Sequence, residues 1–136
     1  MNRDDVIAYI KDVKVASLAT MGPDGGPRVR PIYLEDVDGD ILYFFTLAIT
    51  RKVGELKANP RVEVAWTKPT DFSQVRVVGP AAPVTDEAVV QRWRAEHEMI
   101  IQNLPPGTGP LLRLYQIRPE KVEVAMGRVP YTEVVW

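Results

Sequence analysis

Short runs of β-prone residues, separated by clusters of turn-forming residues, recur along most of the chain. In residues 61–67, Val62, Val64 and Trp66 fall on one face, as expected for a strand with one buried side. Similar runs, rich in valine, isoleucine and aromatic residues and bounded by glycine, proline or aspartate, predict further strands. They lie at residues 15–20, 28–35, 41–46, 73–84, 111–117 and 121–125. These runs predict a sheet of at least five strands, mainly antiparallel.

Three segments interrupt this pattern with apolar residues at helical spacing. The first begins at Asp4, with two acids in its first turn. The second begins at Thr50 and ends at Asn59, because the residue before a proline disfavours the α region. The third begins at residues 85–87 and continues to the prolines at 105–106 as one longer helix.

The polar residues 36–40 separate two strand-like runs, 28–35 and 41–46. A short turn between two such runs predicts that they pair as an antiparallel hairpin. Strands and helices together predict one α+β, mainly β domain over residues 1–136, an antiparallel barrel with a few helices packed around it.

The charge balance and the lack of cysteine narrow the classes of function. Seventeen lysines and arginines against eighteen aspartates and glutamates give a formal net charge of -1, so the whole molecule has no general attraction for nucleic acid. Without cysteine, disulfides, thiolate metal ligands and thiol catalysis are excluded. Asp36, Asp38 and Asp40 lack the later glutamate of a calcium loop, so no metal site is predicted. No apolar run is long enough for a signal peptide or membrane span, which predicts a cytoplasmic protein without a membrane partner.

Residues 50–52 are the most informative for function, because a threonine and two cations open the second helix. The first backbone N–H groups of a helix have no intrahelical partner and lie at the positive end of its dipole. Thr50 adds a hydroxyl, and Arg51 and Lys52 add positive charge, which together suit a phosphate. From spacing alone, Thr50 as a simple N-cap with two solvated cations is an equally good interpretation.

A second pair of cations, Arg28 and Arg30, lies on one face of a predicted strand. Two neighbouring arginines repel each other unless an anion lies between them. That anion is either a bound ligand or a carboxylate of the chain, such as Glu35 or Glu63.

Three blocks in this order, at residues 28–34, 42–46 and 50–66, resemble the FMN-binding split β-barrel family typified by pyridoxamine 5'-phosphate oxidase. The blocks read RVRPIYL, LYFFT and TRKVGELKANPRVEVAW. The resemblance implies a split barrel that binds FMN at the interface of a homodimer. It implies that Arg30, Arg51 and Lys52 bind the phosphate and that Thr50 donates a hydrogen bond to it.

The same resemblance assigns residues to the rest of the cofactor. Phe45 and Thr46 would lie beside the ribityl chain or ring, and Pro31 and Ile32 would present backbone to the ring edge. Gln74 is a weaker candidate that would act from the partner subunit, with Arg76 and Trp136 as further possibilities.

The implied function is an FMN-dependent oxidoreductase that passes hydride or electrons between flavin and a small molecule, with no catalytic side chain assigned. The oxidase's Arg-x-His substrate clamp is absent, since the only histidine is His97 in a predicted helix. Pyridoxamine phosphate oxidation is therefore not predicted, and small general-stress-protein-like or flavin-reductase-like members are the better comparison. A deazaflavin-dependent reductase and a non-catalytic flavin or haem carrier or sensor remain as alternatives.

Overall fold

The computed structural model describes residues 1–136, which form four α-helices and nine β-strands. The helices are α1 (Arg3–Val13), α2 (Arg51–Ala58), α3 (Glu87–Glu96) and α4 (Glu98–Gln102). The strands are β1 (Val15–Met21), β2 (Pro27–Tyr33), β3 (Asp36–Asp38), β4 (Ile41–Leu47), β5 (Arg61–Lys68), β6 (Ser73–Pro83), β7 (Leu112–Ile117), β8 (Lys121–Ala125) and β9 (Thr132–Val134). None of the helices is long and apolar enough to span a bilayer.

All strand pairs are antiparallel, in the order β2-β1-β5-β6-β7-β4-β3, with β8 on β6 and β9 on β8. The long strand β6 holds the two parts of the sheet together. One edge of β6 pairs with β5, whereas the other edge pairs first with β8 and then, from Ala81, with β7. This change of partner splits the barrel, and the predicted α+β, mainly β split-barrel fold is confirmed.

The change of partner occurs beside Gly79, where two backbone segments meet. The turn between β7 and β8 donates from the Glu120 N–H to the Val78 carbonyl at 2.8 Å. A Cβ on Gly79 would lie only 2.1 Å from the Arg118 carbonyl oxygen. Glycine is therefore required at this position by close backbone approach.

The predicted hairpin between residues 28–35 and 41–46 is wrong. In the structure β2 pairs only with β1, over Val15↔Tyr33 to Met21↔Pro27. The hairpin partner of β4 is the three-residue strand β3, which lies in the segment predicted as a polar turn. Strand β3 is short and carries two aspartates, so local composition gives no strand signal there.

A core of 21 buried residues fills the barrel, and α1 closes one side of it. Val6 and Ile10 of α1 are fully buried, and the Tyr9 hydroxyl donates to the Ser73 carbonyl at 2.8 Å. Trp66 is also fully buried, and its indole N–H donates to the Leu34 carbonyl at 3.0 Å. These two hydrogen bonds attach α1 and the end of β2 to the central strands.

The predicted single helix after residue 85 is two helices, because the chain breaks at His97. The His97 Nδ1 atom lies 2.7 Å from the Trp93 carbonyl oxygen, which would accept from the His97 backbone N–H in a continuous helix. That N–H donates instead to the Arg94 carbonyl at 3.3 Å. The imidazole also stacks on the Trp93 indole, with ring centroids 4.3 Å apart. Trp93 is buried in a second, smaller cluster between these helices and β7.

A candidate anion-binding site at the start of α2

Helix α2 begins directly after β4, and its first turn has no side-chain cap. The Thr50 hydroxyl donates to the Leu47 carbonyl at 2.8 Å and lies 2.9 Å from the hydroxyl of the buried Thr46. Thr50 therefore does not cap the helix through its side chain, and its proton is already used within the chain. The backbone N–H groups of Arg51 and Lys52, which have no intrahelical acceptor, remain available at the positive end of α2.

Lys52 lies over this turn, with its Nζ atom donating to the Thr50 hydroxyl at 3.3 Å. Its side chain is half-buried. Burial first, and the nearby positive charge of Arg30 second, lower the pKa of Lys52 below its ordinary value. The negative charge of Glu55 acts in the opposite direction but offsets these two effects only in part, so a bound anion here would stabilise the charged ammonium group.

Arg30 reaches the same place from β2. It pairs in register with Leu18 of β1 and shares the inward face with that fully buried residue. The Arg30 Nη1 atom donates to the Thr20 hydroxyl at 2.7 Å, and Nη2 donates to the Glu55 carboxylate. The guanidinium is thus held between β1 and α2.

Glu55 is the buried carboxylate at the centre of the cluster, with 4% of its side chain exposed. Burial alone would raise the pKa of Glu55, but the hydrogen bond from Thr20 and the charge of Arg30 hold it below its ordinary value. Glu55 Oε1 accepts from the Thr20 hydroxyl at 2.9 Å, whereas Oε2 has no hydrogen-bond partner. The carboxylate is therefore charged but only half satisfied.

The carboxylates suggested from the sequence as partners of the two strand arginines are wrong. Glu35 pairs with Lys14 and Glu63 with Arg76, while Arg28 pairs with Asp24 at 3.0 Å. Sequence reasoning missed both Thr20 and Glu55, which hold Arg30. Glu55 follows Arg51 by four residues in a helix, a spacing that by itself suggests an ordinary surface pair.

Arg51 lies on the other side of the cluster and makes no ion pair in the structure. It is exposed and lines an open cavity of about 440 Å³. Gly22 and Pro23 of the turn between β1 and β2 also line this cavity, as does Glu55. The structure therefore leaves this guanidinium free to bind a ligand.

The charges of the cluster fit a phosphate. Arg30, Arg51 and Lys52 carry three positive charges and Glu55 one negative charge, which leaves two positive charges. Arg30 is close enough to lower the pKa of both Lys52 and Glu55, and Arg51 is close enough to lower the pKa of Glu55. A phosphomonoester is a dianion near neutral pH, and a helix start with free N–H groups is a common site for it.

The other residues predicted to contact a cofactor do not join this cluster within one chain. Thr46 lies next to Thr50, but Phe45 points to the opposite face of β4, where its ring lies 5.5 Å from that of Trp93. Ile32 is buried in the barrel core and Pro31 is exposed on the outer face of β2.

Gln74 also lies apart from the cluster. Its neighbour Val75 faces the core, so Gln74 lies on the outer face of β6, where it accepts a hydrogen bond from the Tyr131 hydroxyl. Arg76 lies over the Tyr131 ring at 4.9 Å, and Trp136 donates to the Asp40 carbonyl at 3.0 Å. The contacts that the sequence assigned to these residues therefore remain predictions.

Comparisons with known proteins identify the family of this chain. A family model described as pyridoxamine 5'-phosphate oxidase matches residues 3–125. A curated relative, the pyridoxine/pyridoxamine 5'-phosphate oxidase of Anaeromyxobacter dehalogenans, is 37% identical over 75 residues, which are 55% of this chain and 38% of the relative. The matched part thus spans well under half the length of that relative.

Solved structures show the same fold at low sequence identity. A protein from Clostridium acetobutylicum related to general stress protein 26 of B. subtilis has a TM-score of 0.79 at 18% identity, covering 96% of this chain and 91% of its own. A pyridoxamine 5'-phosphate oxidase-related, FMN-binding protein of Nostoc punctiforme has a TM-score of 0.70 at 18% identity, covering 96% and 88%. An F420 reductase has a TM-score of 0.66 at 24% identity, covering 85% and 93%. Because the family match takes in every strand from β1 to β8, the chain belongs to the pyridoxamine 5'-phosphate oxidase family.

Proposed function

We propose that this protein binds FMN and acts as a flavin-dependent oxidoreductase on a small molecule. The observation that carries the proposal is the cluster of Arg30, Arg51 and Lys52 at the uncapped start of α2, with a net charge that matches a phosphate dianion. Family membership and the FMN-binding neighbour from Nostoc punctiforme support FMN as the ligand that carries this phosphate.

In this proposal the chain binds and orients, and the flavin supplies hydride or electron transfer. Arg51 and Lys52 bind the phosphate together with the first N–H groups of α2. Arg30 binds it from β2, and the Thr46 and Thr50 hydroxyls form the floor of the site. Pro31 and Ile32, which follow Arg30 on β2, present backbone toward the ring edge. No side chain of the chain is assigned as an acid or base.

The proposal includes a homodimer, because Gln74 and Phe45 cannot complete the phosphate cluster of their own chain. Gln74 lies on the outer face of β6, from which it would reach a flavin held by a second copy. The outer face of β1 and β2 carries exposed apolar side chains, with Val15 56% and Val29 67% exposed. Exposed apolar residues of this kind support a subunit contact at this face.

The absorption spectrum of the purified protein, with mass analysis of whatever heat releases from it, tests the cofactor directly. A flavin spectrum with the mass of FMN is expected. A colourless protein whose spectrum and fluorescence do not change when FMN is added would contradict the proposal.

Replacing both Arg51 and Lys52 with alanine tests the position of the phosphate. Each lost hydrogen bond to a charged group costs roughly 1.5–3 kcal/mol, so FMN affinity should fall at least about 100-fold, while riboflavin affinity should change little. Fluorescence titration with both ligands measures the ratio of FMN affinity to riboflavin affinity. The matched control is the double substitution of Lys57→Ala in the last turn of α2 and Arg61→Ala at the start of β5, which should leave the ratio of the two affinities unchanged. Equal losses for FMN and riboflavin would show that the phosphate lies elsewhere.

The F420 reductase neighbour favours a deazaflavin coenzyme as the second candidate. The same spectrum and mass separate a deazaflavin from FMN. Whether NAD(P)H or another donor reduces the bound flavin with turnover then separates an oxidoreductase from a carrier or sensor.

A further inference from the structure

The hydrogen bonds of Arg30 use one edge of its guanidinium and leave another free. Nη1 donates to the Thr20 hydroxyl at 2.7 Å and lies 3.4 Å from the Leu18 carbonyl, and Nη2 donates to Glu55. No hydrogen bond in the structure involves Nε. A guanidinium has five N–H donors in a rigid plane, so the Nε edge remains open for two parallel bonds to an oxyanion.

Glu55 is what holds the guanidinium in that orientation. Its Oε1 atom receives both Arg30 and the Thr20 hydroxyl, so one oxygen joins β1, β2 and α2. Without this carboxylate, the positive charges of Lys52 and Arg51 would repel Arg30 from the start of α2, because no other carboxylate of the chain pairs with Arg30.

The buried position of the Glu55 carboxylate is not one that folding stability alone would favour. Glu55 Oε2 is buried and has no hydrogen-bond partner. A buried acceptor left without a donor costs free energy, so its presence in a folded protein calls for an explanation. The cost is understandable if the carboxylate is needed to position Arg30.

We propose that Glu55 is a positioning residue for the phosphate site: it fixes the Arg30 guanidinium so that the Nε edge faces the phosphate of the ligand. The inference rests on the proposed binding of FMN by this cluster. It adds a residue that touches neither the phosphate nor the flavin and acts only through Arg30.

If Glu55 and the phosphate simply competed for Arg30, the opposite effect on FMN binding would be expected. If Glu55 merely occupied the arginine that the ligand needs, then removing its negative charge in any way would tighten FMN binding. Positioning depends instead on the acceptor oxygen, which glutamine keeps and alanine lacks. The two substitutions Glu55→Gln and Glu55→Ala therefore separate the two roles.

The experiment is titration of FMN and riboflavin into the wild-type protein and both variants. We expect Glu55→Ala to weaken FMN binding about tenfold, by analogy with the loss of a residue that orients a metal-binding side chain, and to leave riboflavin binding unchanged. Glu55→Gln should bind FMN at least as tightly as the wild type. Tighter FMN binding by both variants, or equal losses of FMN and riboflavin in Glu55→Ala, would overturn the positioning role.

Two further variants keep the test decisive. Thr20→Val removes the hydroxyl that forms hydrogen bonds with both Arg30 and Glu55, and this variant remains informative even if Glu55→Ala does not fold. It should weaken FMN binding severalfold without changing riboflavin binding. No change in FMN affinity would contradict the inference. Glu120→Ala removes an exposed carboxylate that pairs with Arg61 at 3.0 Å and should leave both affinities unchanged. Failure of the wild-type protein to bind FMN overturns the proposed function and this role together. Normal FMN binding by the wild type, combined with any of the contradicting variant results, overturns only the role of Glu55.

Discussion

Lys52 shows how a ligand site is formed at the expense of stability. Its ammonium group is half-buried beside the Arg30 guanidinium, and its one hydrogen bond is to the Thr50 hydroxyl. In the free protein the charged form is therefore less favourable than it is in water. A phosphate would supply the missing counter-charge.

Because the folded-state pKa of Lys52 lies below its ordinary value of 10.5, the unfolded chain binds this proton more tightly. The penalty is complete below the folded-state pKa, and it decreases as the pH rises from the folded-state pKa toward 10.5. Lys52→Gln should therefore raise the Tm of the ligand-free protein at pH 7, and the gain should shrink at alkaline pH. Thermal unfolding from pH 7 to pH 10 measures this, with Lys57→Gln in the exposed last turn of α2 as the control that shows no gain. A lower Tm for Lys52→Gln at pH 7 would contradict the interpretation.

The predictable part of the site was the part encoded locally. Residues 50–52 follow one another, so the sequence predicted a cationic helix start without knowledge of the fold. Arg30 is held by a residue 25 positions later, and that contact depends on how α2 packs over β1. Because both Glu55 and Lys57 occur among other charged residues of one short helix, no local pattern distinguishes the buried carboxylate from a solvated charge.

At the scale of elements, the most sensitive position is the close backbone contact at Gly79. Gly79→Ala would force apart β6 and the turn that contains Arg118, and overpacking of this kind costs roughly 1–3 kcal/mol. The matched control is Gly54→Ala in α2, because a Cβ there meets no atom within 4 Å. Replacing an exposed helical glycine by alanine should stabilise by up to about 1 kcal/mol. Chemical denaturation of both variants checks the prediction, which fails if the two substitutions shift stability in the same direction.

Elements with a long regular pattern were predicted well, and short or interrupted ones were not. Residues 73–84 were predicted as a strand from their run of β-prone residues, and the structure has β6 there, with buried and half-exposed residues alternating through most of it. Strand β3 has three residues, and β9, which was not predicted, also has three. Both are formed by pairing with a neighbouring strand, so tertiary structure decides them. The break at His97 likewise depends on a side chain that replaces a backbone hydrogen bond, which apolar spacing does not reveal.

At the scale of the whole molecule, the outer face of β1 and β2 is the feature that the single chain leaves unexplained. Val15, Met21, Val29 and Tyr33 are all exposed there, opposite the inward residues of the same strands. Strand β2 is also at the end of the sheet order, so one of its backbone edges has no strand partner. The topology follows from long-range pairing and was not predictable in detail, but the alternation that exposes this face was.

Val29→Asp tests whether this face joins two copies of the chain. The wild-type protein should be a dimer by light scattering after size exclusion, and an unpaired charge placed in the contact should shift Val29→Asp to the monomer and weaken FMN binding with it. Val135→Asp is the matched control, because Val135 is 90% exposed near the other end of the chain. A monomeric wild-type protein that binds FMN normally would exclude the interface.

Strand β6 gives the molecule one further property. Strands β5, β7 and β8 all form hydrogen bonds with β6. Neither part of the sheet can therefore separate from the other without breaking hydrogen bonds to β6. Loss of β6 would open the core, because β7 and β8 would both lose their pairing with the central strand. The barrel should therefore unfold as one cooperative unit, and the phosphate site, which lies between strands of this sheet and α2, should persist for as long as the barrel does.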